Sequence, residues 1–530
     1  PVSDVARITV TRGGASVLYG PNGLGGVINI VTFQAEEGLN TEANLRLADN
    51  STFLAHGATG GKKGSFDWYL GAGLEQSDGF SLSEDFQTEP YQPQGLRLNS
   101  DLERFSIIGR VGMELSEADR FSVTLRWIDA EKGIPFHTTR PSGFVKFSRF
   151  PEWRQGTFTL GWQRDLTGEG SIRAQVFSHH FDNTLDVFSG PELEERLLRS
   201  TFADRVVGGF IVGDKRFGAH LLSGAIHLRE DHHRRFEETE VSSMELVERF
   251  TALTGSAGAE GRLTLGKRSV MILGATLDHN AVTESWDFQT GEMNHTSETI
   301  FSPQGEVRTL FKGNLTGSLA VYRRTRFPTL RQLFGGDVPS PTLKPETVTG
   351  ANVSLRWHPN TAISFSGALY FDQVKDLISR VGRAFPYENH DEAEISGFEF
   401  SGRGQWDRLD CRVSGTWQSA EFTASSQSME EIPFVPEATA EVGIALRVGR
   451  STHLRTDWQW VGERIFYEWG DRRELPDYSL VRLAVAHEWK NLELRIDLEN
   501  ALDANIEQEW GYPLSGRRLW VGFSYDFVGH

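Results

Sequence analysis

The sequence around residue 520 reads Arg518-Leu519-Trp520-Val521-Gly522-Phe523-Ser524-Tyr525-Asp526-Phe527. The odd-numbered positions of this stretch are apolar or aromatic, whereas most of the even-numbered positions are small or polar. Such period-two alternation is typical of a β-strand whose two faces meet different surroundings. About ten residues is also the length at which a tilted strand crosses a bilayer. The stretch therefore predicts a membrane-spanning strand.

The same pattern recurs from residue 43 onward and predicts about 22 strands. The predicted strands are residues 43–48, 53–60, 66–75, 105–116, 120–129, 156–164, 172–181, 206–214, 219–229, 261–266, 270–279, 302–310, 314–323, 349–357, 362–371, 395–403, 408–417, 438–446, 452–460, 480–488, 492–499 and 518–527. Long connections, such as 182–205 and 230–260, alternate with short ones. An outer-membrane barrel has this organisation, with short periplasmic turns and long external loops. The predicted fold class is therefore all-β, an antiparallel transmembrane barrel of about 22 strands.

A soluble β-propeller or a tandem of β-sandwiches would also contain many short strands with glycine-rich turns. A propeller, however, should repeat a signature every 40 to 50 residues or so, and the sequence contains no such repeat. The irregular lengths of the long connections instead favour a barrel built from successive hairpins.

The composition alone describes a soluble acidic protein, with mean hydropathy −0.37 and net charge −18 over 530 residues. Averaging the two faces of each strand explains that value, because a lipid-facing residue alternates with one that faces a wet lumen. No run of 18 apolar residues is present, which excludes helical membrane spans. The acidic balance argues against nucleic acid as a partner, and the single cysteine, Cys411, excludes a disulfide scaffold.

The first 36 residues differ from the rest and contain Thr11-Arg12-Gly13-Gly14-Ala15-Ser16-Val17-Leu18-Tyr19-Gly20, followed by Pro21-Asn22-Gly23-Leu24-Gly25-Gly26-Val27-Ile28-Asn29-Ile30-Val31-Thr32. A phosphate-binding loop would require GxxxxGK[ST] and a following helix, and neither is present. The stretch closely resembles the end of the plug domain of TonB-dependent outer-membrane receptors. The residues that carry this resemblance are Gly13, Tyr19, Gly20, Gly25, Gly26 and Asn29.

Further matches to this family follow in the family's own order along the chain. They lie at Arg326–Phe334, Pro341–Glu346, Tyr370–Ile378, Asn389–Glu399, Asn500–Asp503 and Gly511–Arg517. The resemblance implies that residues 1–36 are the C-terminal part of a plug domain and that residues 37–530 form the barrel. Most of the plug and the TonB box are missing, so we expect the sequence to be a fragment or an incomplete gene product.

The resemblance also implies a function. We expect a receptor in the outer membrane of a Gram-negative bacterium that takes up a scarce metal chelate, first of all a ferric siderophore. The implied partners are the TonB-ExbB-ExbD complex, the chelate, and outer-membrane lipid with lipopolysaccharide, and we expect a monomer without a cofactor. A cobalamin or haem receptor is an alternative, although no histidine lies between Phe327 and Leu343, where haem receptors of the family carry one. A passive porin is the alternative from another class.

The resemblance implies a charge latch between plug and barrel, for which Arg12 and Glu399 stand at matching positions. A second family glutamate aligns with Asn352, so this latch would have one carboxylate fewer. Without GxSxG, HExxH or a convincing triad order, we expect no enzyme activity, and we predict no metal site.

Ligand recognition should fall to aromatic and cationic residues in the long connections. The candidates are His137, Arg140, His232, His233, Arg234, Arg235, Tyr467 and Trp469. Two alternatives stay open, because Trp and Tyr near strand ends often form the interfacial girdle and charged loop residues can meet lipopolysaccharide. The His232–Arg235 run, flanked by acidic residues, is expected to lie in a solvated loop.

Overall fold

The computed structural model is that of a barrel with a small hairpin inside it. It describes residues 4–12, 17–33, 37–239, 241–288, 291–292, 296–335, 339–380, 386–424, 429–468 and 470–529. The described residues form 29 strands, one short α-helix and three 3-10 turns.

Twenty-two strands close into one antiparallel barrel, in which each strand pairs with its neighbour in sequence and β29 pairs with β3. The barrel strands are β3 (Gly38–Ala48), β4 (Thr52–Lys63), β5 (Phe66–Ser77), β6 (Leu102–Glu114), β7 (Asp119–Ile134), β8 (Phe147–Leu166), β9 (Gly170–Phe188), β10 (Arg196–Phe217), β11 (His220–Thr239), β12 (Glu245–Leu265), β13 (Ser269–Asp287), β15 (Ser297–Leu310), β16 (Leu315–Arg326), β17 (Glu346–Trp357), β18 (Ile363–Ser379), β19 (Glu388–Gln405), β20 (Leu409–Ala424), β21 (Ala438–Val448), β22 (Thr452–Val461), β25 (Tyr478–Trp489), β26 (Leu492–Glu499) and β29 (Arg518–Gly529). The predicted fold class and strand number are confirmed.

The remaining elements lie outside this circuit of 22 strands. They are β1 (Val5–Arg12), β2 (Gly26–Thr32), the two-residue β14 (Gly291–Glu292), β23 (Arg464–Glu468), β24 (Asp471–Leu475), β27 (Glu507–Glu509), β28 (Tyr512–Pro513) and the helix α1 (Leu330–Phe334). Strands β1 and β2 pair with each other, as do β23 with β24 and β27 with β28. No helix within the described residues is long and apolar enough to cross a membrane.

The two faces of each barrel strand differ as the alternation predicts. On β11, the large apolar side chains of Leu222, Ile226 and Leu228 are exposed on the outer surface. The residues between them, such as Ser223 and Ala225, face inward and are buried. An exposed apolar belt around a polar interior is the arrangement that a lipid bilayer stabilises, and it accounts for the low mean hydropathy.

The predicted strand lengths are wrong on one side of the barrel. Strands β8 to β13, which we call the tall wall, each contain 19 to 22 residues. Most of residues 182–205 and 230–260, predicted as long loops, belong to these strands. Beyond the lipid both faces of a strand meet water, so the hydrophobic alternation fades although the backbone pairing continues.

The opposite side of the barrel is much lower. Strands β21, β22, β25, β26, β29, β3, β4 and β5, which we call the short wall, contain only 8 to 12 residues each. Above them the chain forms its own rim from the connections 78–101, 462–477 and 500–517, which include the small hairpins β23–β24 and β27–β28.

Candidate functional site: the mouth of the barrel

An aromatic patch that includes a lysine lines the inner surface of the tall wall and the end of β7. The ammonium nitrogen of Lys132 lies 3.6 Å from the ring centroid of Trp153 and 5.2 Å from that of Phe150. The Trp153 ring meets Phe150 and Phe181 edge to face, at centroid distances of 4.8 and 4.7 Å. Trp153 pairs in register with the buried, inward-facing Ala130. The aromatic wall, which we define as Lys132, Phe150, Trp153 and Phe181, therefore faces the mouth of the barrel.

The sequence does not predict the aromatic wall, because residues 130–155 fall between the predicted strands 120–129 and 156–164. The structure contains register shifts between Ala130 and Lys132 on β7 and between Arg149 and Glu152 on β8. A β-bulge adds a residue to one strand and so interrupts the period of two. The aromatic spacing of Phe150 and Trp153 was the available signal.

Next to the aromatic wall, β11 contributes an inward-facing ion network. His233 Nδ1 lies 2.6 Å from Asp204 and its Nε2 lies 3.5 Å from Glu248. Arg235 donates to the same buried Glu248 at 2.5 Å. The two side chains that contact Glu248, those of His233 and Arg235, compensate for the loss of water around its buried carboxylate. The network holds β10, β11 and β12 together at their outer ends.

The prediction that residues 232–235 lie in a solvated loop is wrong, because all four belong to β11. Successive residues of a strand point to opposite faces. His233 and Arg235 face the mouth, whereas His232 and Arg234 face outward. These four candidates therefore do not form one ligand-binding cluster.

The connection after β16 folds over the mouth and is fixed by apolar packing. Phe334 of α1 is fully buried and stacks on Phe250 at 5.1 Å, and Phe250 in turn stacks on His233 at 5.7 Å. Glu346, also fully buried, accepts a hydrogen bond from Arg326 and another from the Ile378 amide at 2.8 Å. The family-like Lys-Pro-Glu segment therefore anchors this connection.

His137 lies in the connection 135–146 between β7 and β8 and is buried against the short-wall rim. Its ring meets Trp510 and Tyr512 edge to face at 4.4 and 5.5 Å, and Arg140 lies 5.2 Å above the Trp510 ring. Nδ1 accepts hydrogen bonds from the amides of Thr139 and Arg140, both at 3.2 Å. Burial lowers the pKa of His137 to about 4, with the charge of Arg140 contributing. His137 is thus neutral at physiological pH.

Gly511 packs directly against the His137 ring. Its φ is +75°, and a Cβ atom at this position would lie 2.2 Å from the His137 ring. The Gly511 amide donates to Glu507 at 3.0 Å, and its carbonyl accepts from the Thr138 amide at 3.1 Å. Burial raises the pKa of Glu507. The connections 135–146 and 500–517 are therefore joined through a position that only glycine fits.

The connection 78–101 completes the rim around the buried Arg97. Its guanidinium donates to Gln92 at 2.7 Å and also to the Phe136 carbonyl. Burial lowers the pKa of Arg97 to about 10.

Tyr467, another ligand candidate, accepts from the Glu430 and Glu431 amides through its hydroxyl at 3.1 and 3.2 Å. Trp469 lies outside the described residues.

The hairpin β1–β2 and the turn between its strands contact the inner wall at several points. Asp4, at one end, accepts from Tyr69 at 2.8 Å and lies 3.1 Å from His56 Nε2. The connection between β1 and β2 approaches the mouth, where the Leu18 carbonyl lies 2.9 Å from His227 Nε2. The hairpin therefore lies within the lumen, with its connection toward the mouth.

Residues 22 and 23 of this connection reach the segment that leads into α1. Arg324 donates to the Gly23 carbonyl at 2.7 Å, and the Phe327 amide donates to the Asn22 side chain at 3.0 Å. These two hydrogen bonds join the segment that leads into α1 to Asn22 and Gly23.

The glycines of the motif serve different purposes. Gly20 has φ +81° and packs against His227, whose Cγ would lie 3.1 Å from an added Cβ, and Gly26 has φ +137°. A Cβ on Gly25 would meet nothing within 4 Å. Tyr19 is half exposed and Asn29 pairs with Thr9 in the hairpin. Gly13 lies outside the described residues.

Glu399 lies on β19 with its side chain on the inner face. Phe398 and Phe400 on either side of it are exposed on the outer face, and Glu399 pairs in register with Ala368 and Thr416. Arg12 ends β1, but its side chain lies outside the described residues. Among the residues that are described, no three His, Cys, Asp or Glu side chains gather in a way that could hold a metal ion.

A closed 22-stranded barrel with an apolar belt and an elaborated mouth defines an outer-membrane barrel protein. The family model "TonB dependent receptor-like, beta-barrel" matches residues 111–501. The chain belongs to this family of TonB-dependent receptors. It is a receptor and transporter of the Gram-negative outer membrane and not an enzyme.

Relatives and solved structures agree with this assignment. The "Iron-regulated outer membrane virulence protein" of Vibrio cholerae is 21% identical over 99% of the chain and 80% of its own length. The copper transporter OprC superimposes with a TM-score of 0.84 at 16% identity, covering 99% of this chain and 86% of that one. The siderophore receptor PirA of Acinetobacter baumannii gives a TM-score of 0.79 at 13% identity, with the same coverage.

Proposed function

We propose that this receptor takes up a ferric siderophore with energy supplied by the TonB-ExbB-ExbD complex. The observation that carries the proposal is the aromatic wall at the mouth. A cation held between aromatic rings suits an anionic chelate with flat organic arms, because the rings supply contact area and the ammonium supplies charge. Similarity to an iron-regulated protein and to a siderophore receptor supports iron as the metal.

Residues 1–36 are, in this proposal, the C-terminal part of a plug domain, and residues 37–530 are the barrel. The contacts of Asp4, Leu18, Asn22 and Gly23 with inward-facing barrel residues support this division. The latch between Arg12 and Glu399 belongs to the same proposal, supported by the inward orientation of Glu399.

Among the predicted ligand residues, His233, Arg235 and Arg140 are retained as ligand-binding candidates. His233 and Arg235 face the mouth beside the aromatic wall, and Arg140 lies over Trp510 in the opposite rim. His137 and Tyr467 act instead by fixing the rim, because their polar atoms already bond to backbone amides. A passive porin is no longer an alternative, since the chain belongs to the receptor family.

The test uses the full-length protein and compares two tryptophans of opposite orientation. Trp153→Ala removes the centre of the aromatic wall, whereas Trp127→Ala removes an exposed tryptophan from the outer face of β7. We expect Trp153→Ala to weaken binding of a ferric siderophore by at least about tenfold, and Trp127→Ala to leave it unchanged. Equal effects of the two substitutions would overturn the assignment of the aromatic wall.

The same titration with haem and with cyanocobalamin separates the alternatives. If the protein binds either of these in preference to a panel of ferric siderophores, the proposed ligand is wrong. The role of Trp153 can then be tested with the same two variants and the ligand that binds. Uptake into cells that lack TonB would instead contradict the proposed energy source.

A further inference from the structure

The turn between β1 and β2 packs closely against the inner face of the tall wall. Val17 is buried there. A Cβ atom on Gly258 of β12 would lie only 2.9 Å from the Val17 carbonyl oxygen, and one on Gly274 of β13 would lie 3.0 Å from a Val17 methyl carbon. Only glycine leaves room for this approach. We call Gly258 and Gly274, together with His227, which lies 2.9 Å from the Leu18 carbonyl oxygen, the packed patch.

From β19 round to β3, the inner face of the barrel carries ion pairs instead. The arginines and aspartates of these pairs, which we call the ion-pair belt, are Arg403, Asp410, Arg412, Arg455, Asp457, Arg495, Asp497 and Arg46. They alternate along their strands with exposed apolar residues of the outer face, such as Val413, Trp458 and Ile496. The belt therefore faces the lumen.

Each aspartate of the ion-pair belt has its counter-charge within the wall. The three carboxylates lie 2.5 to 2.8 Å from an arginine of the belt. Asp497 and Asp410 each have a second arginine, Arg46 at 3.7 Å and Arg412 at 3.5 Å. Glu441 of β21 also faces inward, in register with Ser414, so the face as a whole is mixed in charge and not basic.

The packed patch and the ion-pair belt differ in the free energy needed to part them from the plug. Parting the packed patch loses dispersion contacts and exposes the apolar side chain of Val17 to water. Ion pairs that are complete within the wall need no partner from the plug, and water replaces whatever faces them at little cost. A plug surface that lies against the belt therefore separates from the barrel more easily than the turn at Val17 does.

We propose that the ligand crosses the barrel along the ion-pair belt, while Val17 and Leu18 stay packed against the tall wall. The inference rests on the proposed TonB-driven uptake and adds to it the side of the lumen that opens. A hydrated surface of paired charges suits a water-soluble chelate, because it offers many hydrogen-bond partners and no single strong binding site from which the chelate would leave slowly.

The test compares two thiols at matched heights in the lumen of the full-length protein. Gln459→Cys places a thiol on β22 beside the belt, and Thr276→Cys places one on β13 at the packed patch, where Thr276 is buried. Each position lies seven residues from the short-turn end of its strand. Ser414→Cys on the same inner face of β20 is a second belt position. All variants also carry Cys411→Ser, which removes the native thiol of the barrel.

Cells that express each variant are treated with a small membrane-impermeant maleimide, with and without a panel of ferric catecholate and ferric hydroxamate siderophores. During uptake we expect labelling of Gln459→Cys and Ser414→Cys to rise at least about fivefold, and Thr276→Cys to stay protected. Cells that lack TonB give the baseline. Labelling of the denatured proteins shows that every thiol can react, and retained uptake shows that each variant is folded.

Uptake by the unsubstituted protein separates failure of this inference from failure of the proposed function. If that protein takes up no siderophore of the panel, the proposed function is wrong and the inference falls with it. If uptake proceeds but Thr276→Cys is labelled as strongly as Gln459→Cys, the turn at Val17 leaves the tall wall and the inference is overturned. Uptake without labelling at either belt position overturns it as well, and in both cases siderophore uptake stands.

Discussion

The tall wall and the short wall reach the outside of the cell by different means. In the tall wall the strands themselves continue past the lipid, and β10 and β11 alone share 20 register pairs. In the short wall the strands stop near the lipid, and β25 and β26 share seven. The rim above them consists of connections packed by side chains such as His137, Trp510 and Arg97.

The difference lies in what satisfies the polar groups at each height. A continuing sheet satisfies its own backbone amides and carbonyls, so its side chains are free to face ligand or lipid. A rim made of connections must satisfy backbone groups with side chains, as His137 and Gln92 do. The tall wall is therefore expected to tolerate substitution of its side chains, and the short-wall rim to depend on a few buried ones.

Phe250→Ala tests a place where the tall wall holds a connection by stacked side chains. Removing this buried ring from between His233 and Phe334 should lower the opening free energy of residues 327–335 and 339–345 by about 4 kcal/mol. Hydrogen exchange of peptides from this connection measures the effect, with Leu253→Ala on the outer face as control. Equal exchange rates in the two variants would show that the stacked rings do not fix this connection. Faster exchange throughout β11 and β12 would show that the tall wall, too, depends on buried side chains.

Gly511→Ala attacks the short-wall rim at its tightest point. The added Cβ would clash with the His137 ring at a φ that disfavours other residues, and together these effects should cost about 3 kcal/mol. Gly470→Ala is the matched control, because Gly470 also has a positive φ but an added Cβ atom there would meet nothing within 4 Å. Proteolysis of the external connections on intact cells should distinguish the variants. Similar cleavage of both would show that backbone conformation, and not the contact with His137, fixes the rim.

Acidification should weaken the short-wall rim before the tall wall. The pKa of His137 is about 4 in the folded rim and about 6.5 when the rim is open. The rim is therefore fully stable above pH 6.5 and loses stability as pH falls toward 4. At pH 5 the loss is about 2 kcal/mol. Exchange rates of residues 135–146 at pH 7 and pH 5 measure this, and His137→Phe should abolish the difference; a persistent difference would assign it to another group.

Asn352→Glu tests the proposed latch between plug and barrel, which lies inside the lumen and belongs to neither wall. Asn352 faces the lumen in register with Ala320 and Tyr370, so a glutamate would add the second carboxylate of the family pattern. We expect the free energy needed to expose the plug of the full-length protein to rise by about 1 kcal/mol. A higher urea concentration at the midpoint of plug exposure measures this change. Asn352→Gln controls for size. No difference between the two variants would remove position 352 from the latch.

The sequence predicted every barrel strand because lipid imposes a strict alternation on the residues that cross it. Leu519 to Phe527 illustrate this, since they form part of β29 as expected. Where the lipid ends, the constraint on alternation ends too. The sequence therefore predicts a loop at residues 232–235, which instead extend β11. The burial of His137 was equally hidden, because its partners Trp510 and Tyr512 are more than 370 residues away in sequence.

The pairing of β29 with β3 also imposes an order on barrel assembly. This seam joins the first and last strands of the barrel through nine register pairs, whereas the hairpins of the tall wall join neighbours in sequence through about twice as many. Hairpins of neighbouring strands require only short loops to close, but the seam must wait until its last strand has been made. The tall wall can thus act as a folding nucleus. The short wall contains the seam between β29 and β3, at which the barrel closes last.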